Sequence, residues 1–329
     1  MQKLTVTLET VTPLFLAGAD GRTPELRPAS FRGALRFWLR ALLGAHVGDD
    51  LKTLFEQESK VFGSTGGASP VVVRTAAWKD TLKQGERRVL PHSSQKKFTS
   101  PSFAENNRFT LTLAARPGQQ LPYEAIAALL LMLNLGGVGK RSRRGFGSLQ
   151  VVKAELEKLT LPEAVKALLE EQPEDGKALA QYLTKVLDKA QSFLTATGGS
   201  PYAASVLPGY PVLSPDHALI LVCQHAFTHP KHPYGQAMVD FWKKVLRVLP
   251  FRDEDEFGYA KKRGGKPIRR ASPLVLHLWR TDVGYHLVLT AFRARLSEWE
   301  EGDWSLVEQL LDECYKKWQG EYIFGKGGW

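Results

Sequence analysis

The order of strand-like and helix-like hydrophobic patterns is the feature of this chain that most restricts its fold. At the N-terminus, Leu4 and Val6 begin an alternation of apolar and polar residues, the period-two pattern of a half-buried strand. Between Phe31 and Leu43 apolar residues recur every three or four positions, which predicts an amphipathic helix that ends at Gly44. The later patterns of the first half are strands at 71–77 and 109–115, an apolar helix at 122–134 and a strand at 148–155. The first half therefore has the order β, α, β, β, α, β.

The second half repeats most of this order after a helical segment. Two charged amphipathic stretches between residues 161 and 193 are separated at 173–176 and predict two helices. The patterns that follow are a strand at 218–227, a helix at 239–249, a hairpin of 274–279 with 285–292, and a helix at 306–318. A final strand is expected to be missing or reduced to residues 321–324.

The order β, α, β, β, α, β is that of the ferredoxin-like plan. In this plan two helices cover one face of a four-stranded antiparallel sheet. We therefore predict an α+β protein with two ferredoxin-like (RRM-like) βαββαβ domains in tandem and a helical spacer. The predicted boundaries are 1–156 for an N-terminal domain with a glycine-rich loop, 157–199 for the spacer and 200–329 for a C-terminal domain. The polar stretch 79–107 is expected to be an extended hairpin or a mobile loop.

The charge balance indicates a polyanionic partner. The 329 residues include 44 Lys plus Arg against 34 Asp plus Glu, a net charge of +10. Charge alone does not distinguish RNA, DNA and acidic lipid. The sequence has no apolar run long enough for a membrane span, and its N-terminus resembles a strand rather than a signal peptide. Cys223 and Cys314 are its only cysteines, so we expect reduced thiols and a cytoplasmic location.

The first predicted helix carries a stripe of arginines. Arg32, Arg36 and Arg40 are four residues apart and therefore lie on one side, and the helix contains no acid to pair with them. An ordinary solvated face is one interpretation. Three planar guanidinium groups also suit bidentate phosphate contacts. Gly33 lowers helix stability relative to alanine, which predicts that another molecule approaches the backbone there.

A glycine- and arginine-rich loop is the strongest local signal. Residues 136–147 read Gly-Gly-Val-Gly-Lys-Arg-Ser-Arg-Arg-Gly-Phe-Gly, with five glycines and four cations. Glycines permit positive φ and close backbone approach, so amide groups could point at phosphate oxygens while the cations neutralise charge. The alternative is a flexible basic turn between a helix and a strand. Neither a P-loop nor a GxGxxG pattern is present, so nucleotide hydrolysis has little support.

A third basic cluster lies in the second half. Residues 261–270 include Lys261, Lys262, Arg263, Lys266, Arg269 and Arg270. They are interpreted either as a second phosphate-contacting loop or as a disordered segment. Phe98, Phe103 and Phe146 lie beside basic residues and could stack on unpaired bases, although anchoring roles in the core or loops are the simpler expectation.

The sequence contains no assembled catalytic set. Cys223 with His225, His229 and His232 resembles a zinc set, but prolines interrupt the segment and a second cysteine pair is missing. A metal-free ribonuclease needs a histidine base, for which His46 and His92 are the candidates of the first half. The acids considered for such chemistry, Asp20, Asp49 and Asp50, are better explained by turn and cap roles. We therefore predict no enzyme activity, no cofactor and no metal.

Two segments resemble the hallmarks of a known family. Residues 25–40, Glu-Leu-Arg-Pro-Ala-Ser-Phe-Arg-Gly-Ala-Leu-Arg-Phe-Trp-Leu-Arg, and the loop 136–147 are similar to the conserved segments of the RAMP superfamily of CRISPR proteins. The first segment resembles in particular the family of first Cmr subunits of type III-B effector complexes. Residues 271–277, Ala-Ser-Pro-Leu-Val-Leu-His, resemble a segment in the second half of the same family. The second glycine-rich loop of the family is poorly represented, since only Gly-Lys-Gly-Gly at 325–328 resembles it.

The resemblance implies a noncatalytic subunit with two ferredoxin-like domains. Together with other Cmr proteins, such a subunit holds guide RNA and target RNA near the 3′ end of the guide in antiviral defence. By carry-over, the residues that shape or line the RNA channel are Ser30, Arg32, Gly33, Arg36 and Arg40. Those that form the phosphate-contacting loop are Gly136, Gly137, Gly139, Lys140, Arg141, Ser142, Arg143, Arg144 and Gly145. No membrane and no small-molecule substrate are expected.

Two rival functions remain open at this point. One is a guide-processing, metal-independent endoribonuclease of the same superfamily that uses a histidine base. The other is a structural spacer whose basic faces meet acidic neighbouring subunits rather than RNA. Salt-sensitive binding of single-stranded RNA without cleavage distinguishes the predicted function from both.

Overall fold

A computed structural model describes residues 1–77, 82–90, 99–194, 201–228, 233–246, 257, 260–263, 266–269, 271–295 and 303–325. The first half contains six strands and three helices among these residues. In chain order they are β1 (Lys3–Thr10), α1 (Pro28–Val47), α2 (Leu51–Phe62), β2 (Val71–Ala77), β3 (Gln84–Arg88), β4 (Thr99–Phe103), β5 (Arg108–Ala115), α3 (Tyr123–Leu135) and β6 (Leu149–Glu157).

Four of these strands form one antiparallel sheet in the order β2-β5-β1-β6. In its register Val6 is opposite Leu111 on β5, so the apolar residues of neighbouring strands lie on the same face. That face packs against α1 and α3, and Leu4, Leu8 and Phe31 are fully buried there. The predicted order β, α, β, β, α, β is present, with α2 and the hairpin β3–β4 inserted into it.

The second half contains the remaining elements. They are α4 (Glu163–Glu170), α5 (Gly176–Ser192), β7 (Ala218–Cys223), α6 (Pro233–Phe241) with a π-helical turn (Trp242–Leu246), β8 (Ala260–Arg263), β9 (Lys266–Arg269), β10 (Leu274–Thr281), β11 (Gly284–Phe292), α7 (Ser305–Lys317) and β12 (Gly320–Phe324). A second antiparallel sheet has the order β10-β11-β7-β12. In each sheet the two central strands are the ones that come first and third along the chain, namely β1 and β5 in the first sheet and β7 and β11 in the second. The two sheets therefore have the same strand order.

The second sheet is buried on both faces. Ile220 and Val288 belong to the core shared with the first half, whereas Leu221 and Leu289 pack in the cluster around α6 and α7. Helix α5, in the segment predicted as a spacer, packs against α3 and against β7 and β12. The halves therefore meet through an extensive apolar contact. Within the described residues, no helix is both long and apolar enough to cross a bilayer.

Several local predictions are corrected by the structure. Helix α1 continues beyond Gly44 to Val47 and ends before Gly48, which has φ +60°. Gly44 is instead a packing glycine, because a Cβ atom there would lie 2.7 Å from the Tyr210 ring. Of the stretch 79–107, the described strands β3 and β4 pair in antiparallel fashion, which agrees with the hairpin alternative. The final strand is present as β12 and completes the second sheet.

Candidate nucleic-acid interface

A cleft of about 370 Å³ separates α1 from the glycine-rich loop 136–147. The residues that line it are Ser30, Ala34, Phe37, Trp38, Gly136, Gly137, Gly139, Ser142, Arg143 and Val275. The four from α1 are spaced i, i+4, i+7 and i+8, so they form one face of that helix. No carboxylate is among the described residues that line the cleft. Helix α1 and the glycine-rich loop, the two first-half segments predicted from sequence, thus meet at one site. Among the described residues that line this site, no negative side chain would repel a polyanion.

The loop glycines are required by packing inside the protein. A Cβ atom on Gly136 would lie 2.3 Å from the Trp38 indole nitrogen. Gly139 has φ +89°, and a Cβ there would meet the Phe15 carbonyl at 2.4 Å. Gly137, Gly145 and Gly147 are similarly crowded. Packing inside the protein therefore accounts for these glycines, while a contact between the loop backbone and a phosphate stays a prediction.

The inner side of the loop is attached to β10. The Leu276 amide donates to the Arg143 carbonyl at 3.3 Å, and the Leu278 amide donates to the Ser148 hydroxyl at 3.1 Å. The ring of His277 hydrogen-bonds through Nδ1 to the Gly136 carbonyl. The loop therefore joins the two halves, and its alternative interpretation as a flexible turn does not fit this bonding.

Several loop amides are already used inside the protein. Lys140 N donates to Phe15 O at 2.9 Å, Arg144 N donates to Arg141 O at 2.8 Å, and Gly147 N donates to Pro13 O at 3.0 Å. These three donors are not available to a phosphate.

Arg143 is the cation in the wall of the cleft. Its Nη1 donates to the Ser272 carbonyl at 2.6 Å, and its guanidinium carbon lies 5.0 Å from the centroid of the Phe37 ring. Burial lowers its pKa, but a guanidinium remains protonated at neutral pH. In the described part of the chain it forms no ion pair with a carboxylate. A partly desolvated cation with no acid nearby is stabilised by an incoming anion.

The other loop cations differ in exposure. Lys140 and Arg141 are exposed beside the cleft. Arg141 has φ +67°, a conformation that is uncommon for a residue with a side chain. Arg144 is turned inward, and its Nη2 donates to the Phe257 carbonyl at 3.3 Å. Lys140, Arg141 and Arg143 therefore lie in or beside the cleft, whereas Arg144 is directed into the protein, and both Arg143 and Arg144 bond to the second half.

The arginine stripe of α1 faces α2. Arg32 donates to the carbonyls of Phe62 and Val71, and Arg36 donates to those of Phe62 and Gly63. Phe62 and Gly63 are at the C-terminal end of α2, where cations interact favourably with the helix dipole, and Val71 is the first residue of β2. At 100° per residue the stripe lies more than about 100° around α1 from the cleft face. Arg32 and Arg36 therefore have structural contacts, while an RNA contact remains a prediction.

Arg40 is the most exposed member of the stripe. Its Nε lies 3.0 Å from a carboxylate oxygen of Glu58, and Arg36 Nε lies 3.2 Å from the other oxygen. The Arg40 side chain is 49% exposed, compared with 30% for Arg36. Glu58 belongs to α2, a helix that was not predicted from the sequence. The available signal was Asp50, which caps the helix, followed by buried Leu54, Glu58, Val61 and Phe62 at helical spacing.

Gly33 is the one predicted glycine with open space above it. It is exposed in the middle of α1, and no heavy atom of the described residues lies within 4 Å of a Cβ built there. Packing therefore does not require a glycine at this position. The expectation that another molecule approaches the backbone at Gly33 remains compatible with the structure.

The described part of the third basic cluster lies on two paired strands, and its contact with phosphate stays a prediction. Lys261, Lys262 and Arg263 are on β8, and Lys266 and Arg269 are on β9, which pairs with it in antiparallel fashion. Arg270 lies outside the described residues.

The proposed stacking phenylalanines are core residues where they are described. Phe103 is 3% exposed and Phe146 is 2% exposed, so neither ring offers a face to a base. Phe146 packs edge to face against Phe15. Phe98 lies outside the described residues.

The candidates for acid–base and metal chemistry have structural roles or lie elsewhere. Asp20 and Asp50 accept hydrogen bonds from nearby turn and helix-start amides, as predicted, and Asp49 accepts a bond from Tyr202. His46 is in the last turn of α1. Cys223 is buried on β7, and no group of three potential ligands is found in the described part of the chain. His92, His229 and His232 lie outside it.

The known proteins that this chain is similar to are RAMP proteins and Cmr subunits. A model of the RAMP superfamily matches residues 7–150. The chain is 33% identical over 175 residues to the CRISPR system Cmr subunit Cmr1-2 of Pyrococcus furiosus, a match covering 44% of this chain and 92% of that protein. It is 35% identical over 160 residues to Cmr1-1 of the same organism, covering 41% of this chain and 43% of that protein.

Solved structures share the fold. The crystal structure of Cmr1 from Pyrococcus furiosus in the apo form matches with a TM-score of 0.62 and 22% identity, over 99% of both chains. A chain of the type III-B Cmr-beta complex bound to cognate target RNA, determined by cryo-electron microscopy, matches with a TM-score of 0.67 and 12% identity. That match covers 96% of this chain and 99% of the other.

Proposed function

Because this chain belongs to the RAMP superfamily and, within it, to the Cmr1 family of Cmr subunits, we propose that it is a noncatalytic RNA-binding subunit of a type III-B CRISPR complex. In this function it contacts the backbone of guide and target RNA near the 3′ end of the guide, in antiviral defence. Its partners are guide RNA, target RNA and the other Cmr subunits, and its location is cytoplasmic.

The cleft between α1 and the glycine-rich loop carries this proposal. Its described lining holds the guanidinium of Arg143, the hydroxyls of Ser30 and Ser142, and no carboxylate. Lys140 and Arg141 are exposed beside it. A phosphodiester backbone supplies anionic oxygens, and none of these groups has a carboxylate partner among the described residues. A net charge of +10 adds long-range attraction for RNA.

The path of the RNA follows the exposed side of α1. Gly33 lies between the cleft face and the arginine stripe on the helix, and the space above it is open. A backbone that passes Gly33 comes within reach of Arg143 on one side and Arg40 on the other. RNA contacts at Arg32 and Arg36 are secondary in this proposal, because both side chains already hold α2.

The shared strand order supports two domains of one type. We propose that residues 1–156 and 200–329 are tandem ferredoxin-like domains, since each has a four-stranded antiparallel sheet with its first and third strands in the centre. Residues 157–199 connect them through α4 and α5. The glycine-rich loop then lies at the junction of the two domains, where β10 supports it.

A noncatalytic function fits the chemistry of the cleft. Neither a histidine nor a carboxylate is among its described lining residues, so the lining offers no general base for RNA cleavage. His277, which bonds to the loop at Gly136, is fully buried. We propose that specificity comes from base pairing between guide and target, while this chain contacts the backbone.

A salt titration tests the proposal against both rivals. Purified chain is mixed with labelled single-stranded RNA, and binding is measured by filter retention from about 50 to 200 mM salt. The expected result is an affinity whose logarithm falls linearly with the logarithm of salt concentration, with the RNA recovered intact. Affinity that does not change with salt favours the structural spacer. Discrete products from repeat RNA favour the endoribonuclease.

A further inference from the structure

Helix α2 displays two large apolar side chains to solvent. Leu51 is 61% exposed and Phe55 is 59% exposed, the highest values for large hydrophobic residues in the described part of the chain. They are four residues apart and therefore adjacent on the helix surface. A single exposed apolar residue is ordinary, but two neighbouring ones form a patch.

Contacts made by other residues of α2 hold the helix in an orientation that leaves Leu51 and Phe55 exposed. Leu54 and Phe62 are buried in the first core, and Glu58 pairs with the arginines of α1. The N-terminal end is held by Asp50, whose carboxylate accepts a bond from the Thr53 amide at 2.9 Å. The inward face is thus anchored at both ends of α2, so Leu51 and Phe55 cannot turn inward without breaking these contacts.

A groove of about 690 Å³ lies beside Phe55. Its wall includes Ala68 and Pro70, and the cations Lys60 and Arg116 lie along it with one carboxylate, Glu56. Arg116 is oriented by a 2.7 Å bond from its Nε to the Ser69 carbonyl. Neither cation forms an ion pair with a carboxylate among the described residues. The groove therefore combines an apolar wall with an excess of positive charge.

We propose that Leu51, Phe55 and the adjacent groove form a docking surface for a neighbouring protein subunit. The partner segment places an apolar side chain against Phe55 and Leu51 and presents a carboxylate to Lys60 and Arg116. This proposal rests on the proposed function, in which the chain is one subunit of a larger complex. Leu51 favours a protein over RNA as the occupant, because single-stranded RNA is bound mainly through aromatic stacking platforms, whereas an aliphatic side chain is best covered by another apolar side chain.

The docking surface is separate from the RNA cleft. The arginines of α1 that hold α2 lie more than about 100° around α1 from the face that lines the cleft. The described residues that line the cleft and those that line the groove do not overlap, so variants in the cleft and in the groove can be tested separately.

Reassembly of the complex tests this proposal. The chain is added to the other Cmr subunits encoded with it and their guide RNA, assembled without this chain, and its affinity for that complex is measured by interferometry. The double variant Leu51→Ser with Phe55→Ser should bind at least about tenfold more weakly, as expected for central apolar contacts. A matched control is Val152→Ser with Val283→Ser, because these residues are 43% and 50% exposed elsewhere. The control should bind like the wild type.

Charge variants test the chemistry of the partner. Lys60→Glu should weaken assembly, and Glu56→Gln should leave it unchanged or strengthen it. Both serine double variants should keep the wild-type RNA affinity as isolated chains, which also shows that they fold. The two charge variants should change this affinity only through the change in net charge.

Three results would overturn the docking proposal. If the wild-type chain joins the complex and the double variant joins equally well, the docking surface is wrong while the proposed function stands. If the double variant loses RNA affinity but assembles normally, the surface binds RNA instead. If the wild-type chain does not join the complex, both proposals fail.

Discussion

The guanidinium of Arg143 lies over the ring of Phe37, 5.0 Å from its centroid, and so joins the glycine-rich loop to α1 across the cleft. The same side chain bonds to the Ser272 carbonyl in the second half. Arg143 is therefore held in one position by both halves of the chain. A positioned cation loses less conformational entropy on binding a phosphate than a free surface lysine does.

Substitution of Arg143 should weaken RNA binding. We expect Arg143→Ala to lower the affinity for single-stranded RNA by about 1.5–3 kcal/mol at low salt and to reduce the salt slope by up to about one unit. Filter binding over a range of salt concentrations measures both. Arg74→Ala, at an exposed position on β2, is the control and should change the affinity little. Equal effects of the two variants would show nonspecific loss of charge.

Gly33 and Gly44 should respond oppositely to alanine. Gly33→Ala should stabilise the free chain by about 0.5–1 kcal/mol, because the added methyl group enters open space and alanine favours the helix. It should also weaken RNA binding if the backbone passes there. Gly44→Ala should destabilise by about 1–3 kcal/mol, since its Cβ meets Tyr210. Urea unfolding and RNA titration measure both variants, and unchanged RNA affinity of Gly33→Ala would contradict the proposed path.

Substitution of Arg32 should mainly lower the stability of the protein, whereas substitution of Arg40 should mainly weaken RNA binding. Arg32→Ala should cost about 1–3 kcal/mol of unfolding free energy, because the carbonyls of Phe62 and Val71 lose their donor. Arg40→Ala should cost less than about 1 kcal/mol, since its pair with Glu58 is half exposed, and should weaken RNA binding. Denaturation and salt titrations on the same preparations test this. The opposite assignment of effects would show that Arg32 is the RNA contact.

The buried His277 should make stability depend on pH. Burial lowers its pKa to about 4, although the bond to the Gly136 carbonyl opposes the shift. An unfolded histidine has a pKa of about 6.5, so between pH 6.5 and 4 the unfolded chain binds more protons. The free energy of unfolding should therefore fall by up to about 3 kcal/mol as the pH is lowered through this range.

A His277→Gln variant removes this contribution, and its stability should fall less steeply between pH 6.5 and 4 than that of the wild type. Urea unfolding at several pH values measures the slopes. Identical slopes for the wild type and His277→Gln would show that His277 does not titrate between the folded and unfolded states.

The main elements of the first half follow from local patterns. Leu4 and Val6 define β1, and the apolar residues of α1 and α3 give those helices their buried faces. Helix α2 is the exception. Its face combines buried Glu58 with exposed Leu51 and Phe55, which contradicts the usual amphipathic pattern. Both deviations have causes outside the helix, namely the arginines of α1 and, in our proposal, a neighbouring subunit.

The sequence by itself determined the family, the order of strands and helices, and the two segments that border the cleft, because these depend on local periodicity and on short motifs. Only the tertiary structure decided what each basic residue and glycine does. Arg32 and Arg36 turn to the end of α2, Arg144 turns to the second half, and Arg143 remains in the cleft. The reason is physical: an arginine pairs with whichever acceptor the fold brings near it. Phe62 O and Ser272 O are, respectively, 30 and 129 residues away from the arginines that they bind.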